Sequence, residues 1–560
     1  MNYDLKIIGG TIVDGSGSPG YLGDIGIKDG KIAAIGQVSG DAKNTIDATG
    51  KAVTPGFVDI HTHYDAQVMW DRMLTISPWH GVTTVVLGNC GFGVAPTRQA
   101  DHHLIVGTLE KVEGMSSAAL NEGLGETWPF ETFPEYLDAI EDVGTAINVG
   151  VLIGHTPIRL YVMGEDATER EATAEEIEQM RKIVEEGLDA GALGFATSKS
   201  TTHVGFKGKP VPSRVASYEE IETLASTLEG RGAMMQATAG KELWFDEYAK
   251  LSEQFGITIT WTAMLAGMVS PDAHISQMKR TADLAERGLP IIPQVTPRPL
   301  CFEFQFKEPF PFETMSTFKA ISRADLEGKK ALYADEAFRI PVRQKMDVVR
   351  SSFRTAWENS TISGCPSNPE YEERTVREVA DELGVHSMDL GFDLALANDL
   401  ETRFRMPVAN ANEDEVETLL NDENTVLGLS DAGAHASQLC DACLPTYLLG
   451  RWVREKQAMP FEEAIRKLTS RPAEVFGITD RGTLAIDKPA DVLVIDPDTV
   501  NCGKPERVFD LPAGEDRLII QATGIESVIV NGILLRQDGE DQIASDDVLP
   551  GTLLRGGSAA

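Results

Sequence analysis

The stretch Thr54-Pro55-Gly56-Phe57-Val58-Asp59-Ile60-His61-Thr62-His63 decides how the whole chain reads. An apolar run ends in two histidines spaced i and i+2. Along a strand alternate side chains share a face, so His61 and His63 can aim both imidazoles at one point. Neutral imidazole is a zinc ligand, and barrel enzymes carry their chemistry at the C-terminal ends of their strands. The competing reading is a pair of surface histidines near a strand end. The apolar strand in front of them favours a metal pair.

Counting this run, eight buried-strand candidates follow one another at 53–63, 83–90, 147–155, 192–198, 233–239, 257–264, 290–297 and 425–431. Amphipathic helical stretches follow several, among them 174–190 and 218–229. Strand-then-helix alternation signals a parallel sheet wrapped by helices, and eight units predict an α/β fold, a (β/α)8 TIM-like barrel. The long gap before the last strand is improbable as a bare loop, so 323–420 is expected to be a helical insertion over the barrel mouth, with helices at 343–357 and 374–383. Both chain ends change texture. Residues 3–8, 24–28 and 31–35 at one end, and 491–495 and 527–530 at the other, read as short strands, and Asn531-Gly532 is a tight-turn signal. The expected organisation is a small β-sandwich domain built from residues 1–53 and 479–560, closing over a barrel at 54–478. Residues 551–560 are rich in small side chains and are expected to fray.

Of the 560 residues, 86 are acidic and 50 basic, a formal net charge of −36. Phosphate backbones would be repelled, which excludes nucleic-acid partners. No long uncharged apolar run predicts a membrane span, and no basic-then-apolar leader is visible, so a cytoplasmic protein with a small-molecule substrate is expected. A homo-oligomer stays open. Six cysteines in so long a chain predict no disulfide framework. Cys440 and Cys443 have C-x-x-C spacing, but no second pair answers them, and free thiols are expected.

Two more strand ends carry chemistry. Cys90 closes an apolar strand between glycines in Gly88-Asn89-Cys90-Gly91-Phe92-Gly93, and a nearby metal would hold it as thiolate; the bland alternative is a small buried hydrophobe. Asp431 closes Val426-Leu427-Gly428-Leu429-Ser430, where a carboxylate can bind metal and shuttle a proton; a helix cap is the alternative. His155 and His203, past the third and fourth strands, are expected to face the pocket as substrate contacts or auxiliary ligands. His435 is near enough to assist proton transfer. Arg298, after the seventh strand, is the expected carboxylate anchor, with Arg159 second.

Gly-Phe-Val-Asp-x-His-x-His behind an N-terminal strand domain resembles the amidohydrolase superfamily. Gly88–Gly93, Leu429-Ser430-Asp431-Ala432-Gly433 and Arg481-Gly482-Thr483-Leu484 are similar to the N-acyl-D-amino-acid deacylase (D-aminoacylase) family, and the likeness runs through nearly the whole chain. It implies a metal-dependent barrel that hydrolyses an amide bond other than a peptide bond, with His61, His63, Cys90 and Asp431 as metal ligands and Asp431 as catalytic residue. It also implies two further metal histidines on the fifth and sixth strands. This chain has no histidine between His203 and His274, and the sixth strand reads Thr260-Trp261-Thr262. The remaining set, two nitrogens, one sulfur and one oxygen, predicts a single Zn2+ per chain. Two alternatives stand beside this: a cyclic-amide (hydantoinase-like) or other acyl hydrolase, and a degenerate barrel that binds a small molecule without turnover.

Overall fold

The computed structural model describes residues 2–556, apart from 269, 314 and 349–351. Eight parallel strands form the barrel, in ring order: Phe57–Asp59, Val82–Leu87, Asn148–Gly154, Gly194–Ser198, Met234–Thr238, Ile259–Thr262, Ile291–Val295 and Val426–Leu427. We number them barrel strands 1 to 8. Seven fall inside the apolar runs read from the sequence, and strand 2 starts one residue before its run. The ring closes between strands 8 and 1, where Thr62 bridges Ala432, His63 N donates to Ala432 O at 2.7 Å, and Asp431 N donates to His61 O at 3.2 Å.

The outer helices form where the sequence pattern puts them. Ala174–Ala190 starts with a capping box, Thr173 and Glu176 each satisfying the other's backbone N–H, and stops at left-handed Gly191. Its buried side, Ile177, Met180, Val184 and Leu188, recurs at helical spacing. The expected helix at 218–229 is shorter, Tyr218–Ala225, followed by a 3-10 turn at Ser226–Leu228.

Strands from both ends make one nine-stranded mixed sheet around a core of its own that includes Leu5, Ile25, Ile27, Val492 and Ile529. Val492–Ile495 lies antiparallel to Ala52–Pro55, which joins the two ends. The hairpin Ile525–Val530/Ile533–Gln537 turns at Asn531 and Gly532, with φ of 47° and 81°, the two left-handed residues that a tight hairpin turn requires.

Between barrel strands 7 and 8 the chain folds around a separate aromatic core that includes Phe304, Phe306, Phe312, Trp357, Phe392 and Phe404. Helices there include Glu336–Val348, Ser352–Glu358 and Val376–Leu383; of the helix expected at 343–357, residues 349–351 lie outside the described ones. The segment also holds a three-stranded sheet, Leu300–Gln305, Thr361–Gly364 and Arg403–Ala409, which local periodicity did not predict. The C-terminal tail does not fray up to residue 556. Leu553–Leu554 pairs with barrel strand 3 at Val149 and Gly150, and Gly556 N donates to Gly191 O at 2.8 Å. Residues 557–560 lie outside the described ones. No helix among the described residues is long and apolar enough to cross a membrane.

Candidate functional site

Past barrel strand 1 the rings of His61 and His63 meet edge-on, centroids 5.3 Å apart. Cys90 Sγ lies 3.5 Å from His61 Nε2. Asp431 Oδ1 lies 3.3 Å from the same nitrogen and 3.9 Å from His63 Nε2. Ligand atoms of His61, His63 and Cys90 all fall within 4.8 Å of one another, the one such group of three among the described residues.

Local backbone explains how Cys90 and Asp431 reach this point. Both sit in the left-handed region, with φ of 56° and 45°. Such positions cost of order 1–3 kcal/mol for a non-glycine residue and persist only when neighbours hold them. Here Cys90 N donates to Gln236 Oε1 at 2.7 Å, and Asp431 N donates to His61 O, just past barrel strand 1. Gly88 must be glycine: its φ is 81°, and a Cβ there would stand 2.0 Å from Leu152 O.

The surroundings orient the donors. Gln294 Oε1, on barrel strand 7, accepts from His61 Nδ1 at 2.7 Å, which leaves the Nε2 lone pair facing Cys90 and Asp431. The hydroxyls of Thr238 and Thr262, ending barrel strands 5 and 6, line the cavity together with Cys90, and Thr262 Oγ1 donates to Thr238 Oγ1 at 3.0 Å. Threonine hydroxyls thus stand at the ends of the two strands on which further histidines were expected.

The electrostatics call for a cation. Burial holds the Cys90 thiol well above its usual range, and the nearby Glu113 and Asp431 carboxyls add to this. Burial raises Asp431 to about 7, Asp59 and Asp65 to about 7, and Glu113 well above the usual carboxyl range. Burial also lowers His61 to about 4 and His63 well below its ordinary value, so both imidazoles are neutral lone-pair donors. Among the described residues no lysine lines the cavity, and its one arginine, Arg280, is tied to Asp246 at 2.5 Å. Buried acids without a cationic side chain, facing two neutral imidazoles and a thiol, form a donor set that fits zinc.

The donors open into a cavity of about 760 Å³. His203 and His435 line it as well. His203 is fixed by Ser198 Oγ, 2.7 Å from its Nδ1, and His435 by its backbone N–H to Glu113 O. Glu113 had no signal in the sequence. It follows the helix His102–Val112, is 3% exposed, and places Oε1 3.4 Å from His63 Nδ1.

Three of the expected residues, His155, Arg159 and Arg298, are not brought to the cavity. His155 opens the helix His155–Met163 and is fully buried, its Nδ1 2.8 Å from Thr197 Oγ1 and its Nε2 2.7 Å from Glu220 Oε1. Arg159 joins Glu220 in the same buried network. Arg298 turns outward from the strand end, with Nε 2.9 Å from Asp441 Oδ1 and a contact from Nη1 to Cys443 Sγ. Cys440 and Cys443 are both free thiols, Cys443 buried. Lys199, one residue beyond barrel strand 4, gives its Nζ to Arg214 O and Ala216 O and does not line the cavity.

Known proteins share this architecture. The chain is 30% identical to a D-aminoacylase of Alcaligenes xylosoxydans xylosoxydans, covering 96% of this chain and 95% of that one. Among solved structures, a D-aminoacylase described as having a binuclear metal centre with one-metal activation and second-metal attenuation superposes with a TM-score of 0.66, at 25% identity, over 99% of this chain and 100% of that one. An N-acyl-D-glutamate deacylase from Bordetella bronchiseptica, complexed with zinc and a phosphonate mimic of the tetrahedral intermediate, superposes with a TM-score of 0.64, at 27% identity, over 99% and 100% of the two chains. The sequence model of the amidohydrolase family matches residues 44–535, and the chain belongs to that family.

Proposed function

We propose that this protein is a zinc-dependent hydrolase that cleaves the amide bond of an N-acyl-D-amino acid or a similar acylated small molecule, with one zinc per chain. The observation that carries this reading is the convergence of His61, His63, Cys90 and Asp431 on one point of the cavity. Its likeness to D-aminoacylase over nearly its full length supports the substrate class. A zinc held by these four residues would supply Lewis acidity toward the acyl carbonyl and a nucleophilic water at neutral pH.

The chain's own residues do the rest. Asp431 accepts the proton of the attacking water and passes it to the leaving nitrogen. Gln294 fixes the His61 tautomer, and Gln236 holds the Cys90 backbone in place. His203 Nε2 and the His435 ring are free to hydrogen-bond the substrate.

The test combines metal analysis of the purified chain with a hydrolysis panel of N-acyl-D- and L-amino acids and cyclic imides, with and without chelator. About one zinc per chain and chelator-sensitive hydrolysis of the D-series are expected. Two metals per chain would contradict the four-donor count, and a metal-free chain inert on every substrate would leave a binding protein. A second measurement addresses positioning. Gln294→Leu removes the acceptor for His61 Nδ1 and is expected to weaken zinc binding roughly 10–100-fold, read by competition with a chromogenic chelator. Unchanged affinity would remove Gln294 from the site.

A further inference from the structure

The cavity is too large for a short acyl group. An acetyl substituent adds only a methyl beyond the carbonyl, whereas about 760 Å³ lies well within the range of pockets that enclose drug-sized ligands. Part of the cavity is an arm lined by apolar side chains. Its wall is built by Trp244 and Phe245 after barrel strand 5, Trp261 in strand 6, and Leu265 and Met268 after it. Trp244 meets Phe245 and Trp261 edge-on, with centroids 4.7 Å and 4.9 Å apart. Ala273, Ser276, Gln277 and Arg280 recur at i, i+3, i+4 and i+7 on the helix Ala273–Glu286, so one face of that helix, small at Ala273 and Ser276, also lines the cavity. Arg280 lies over Phe245, 4.6 Å from the ring centroid, with its side chain 44% exposed, and marks where the arm reaches solvent.

We propose that this arm is an acyl-group subsite that accepts an extended apolar or arylacyl chain; the inference rests on the deacylase reading above. The assignment to the acyl side follows from where Asp431 stands. It delivers its proton to the leaving nitrogen, so the amine half of the substrate lies toward barrel strand 8, beside Leu429 and His435. The carbonyl carbon and its substituent then point away from strand 8, toward strands 5 and 6, where the aromatic wall stands. The ring order places strand 7 between strands 6 and 8, which keeps the two halves of the substrate on separate sectors of the mouth.

Steady-state kinetics on two substrate series tests this. One varies the acyl group from acetyl to dodecanoyl on a single D-amino acid, and the other varies the amino-acid side chain on a fixed acetyl group. In the wild type, kcat/KM is expected to rise roughly fourfold per methylene along the acyl series until the arm is filled. Ala273→Phe narrows the arm and is expected to shrink the dodecanoyl-over-acetyl ratio at least tenfold. A flat acyl series, or selectivity that follows the amino-acid side chain instead, overturns the subsite assignment while leaving the deacylase reading intact. Hydrolysis of no member of either series overturns that reading itself. Binding of free dodecanoate against acetate, followed by quenching of the wall tryptophans, gives a readout independent of turnover: equal affinity for the two acids counts against the arm.

Discussion

Asp431→Asn is expected to lower kcat about 10²–10⁴-fold while the fold survives. Asparagine matches aspartate in shape and tolerates the left-handed backbone that residue 431 adopts, so the bond from its N–H to His61 O should persist. What disappears is the proton acceptor. An amide oxygen can still face His61 and His63, so zinc content should stay near the wild-type value while turnover collapses. Kinetics on one N-acyl substrate, metal analysis and a thermal melt together separate these effects. Full activity in the variant would end the proton-transfer role; a parallel loss of zinc would make Asp431 chiefly a ligand.

Cys90→Ser should have the other large effect, on metal affinity. Hydroxyl replaces thiol at nearly the same size, and the backbone N–H of residue 90 keeps Gln236 as its acceptor. The change removes the one soft, anionic donor from a set otherwise made of two imidazoles and a carboxylate. Losing a ligand should cost more than losing an orienting partner, so zinc binding is expected to weaken at least about 100-fold, beyond the range set by orienting residues. Chelator competition measures it directly, and activity should return in part at high added zinc. Wild-type affinity in Cys90→Ser would mean that the sulfur is a packed hydrophobe, and the metal set would reduce to His61, His63 and Asp431.

The barrel was legible because its signals are local. Eight apolar runs of strand length mark eight strands, and the alternation of His61 and His63 fixes their common direction. Cys90 and Asp431 stood out at strand ends, and the structure brings both to His61. The same rule misleads at His155 and Arg298. A strand end fixes where a residue begins its loop, not where its side chain turns. His155 is already the first residue of a helix and meets Glu220 in the layer between barrel and helices, and Arg298 meets Asp441. Glu113 and the sheet of Leu300–Gln305 with Arg403–Ala409 depend on contacts distant in sequence, which no window of residues contains. Gln236 and Gln294 did carry a faint signal, as single amides within Met-Met-Gln-Ala and Ile-Ile-Pro-Gln-Val.

The donors His61 and Asp431 are neighbours across the join at which the barrel ring shuts, since Asp431 N bonds to His61 O and His63 N to Ala432 O. The first and last strands of the barrel therefore meet at the proposed ligands. An ion that binds only the shut ring adds to its stability by mass action, about 4 kcal/mol when free zinc stands a thousandfold above its dissociation constant. The zinc would then act as a clasp between distant parts of the chain, and scarcity of the metal would loosen the enzyme as well as silence it.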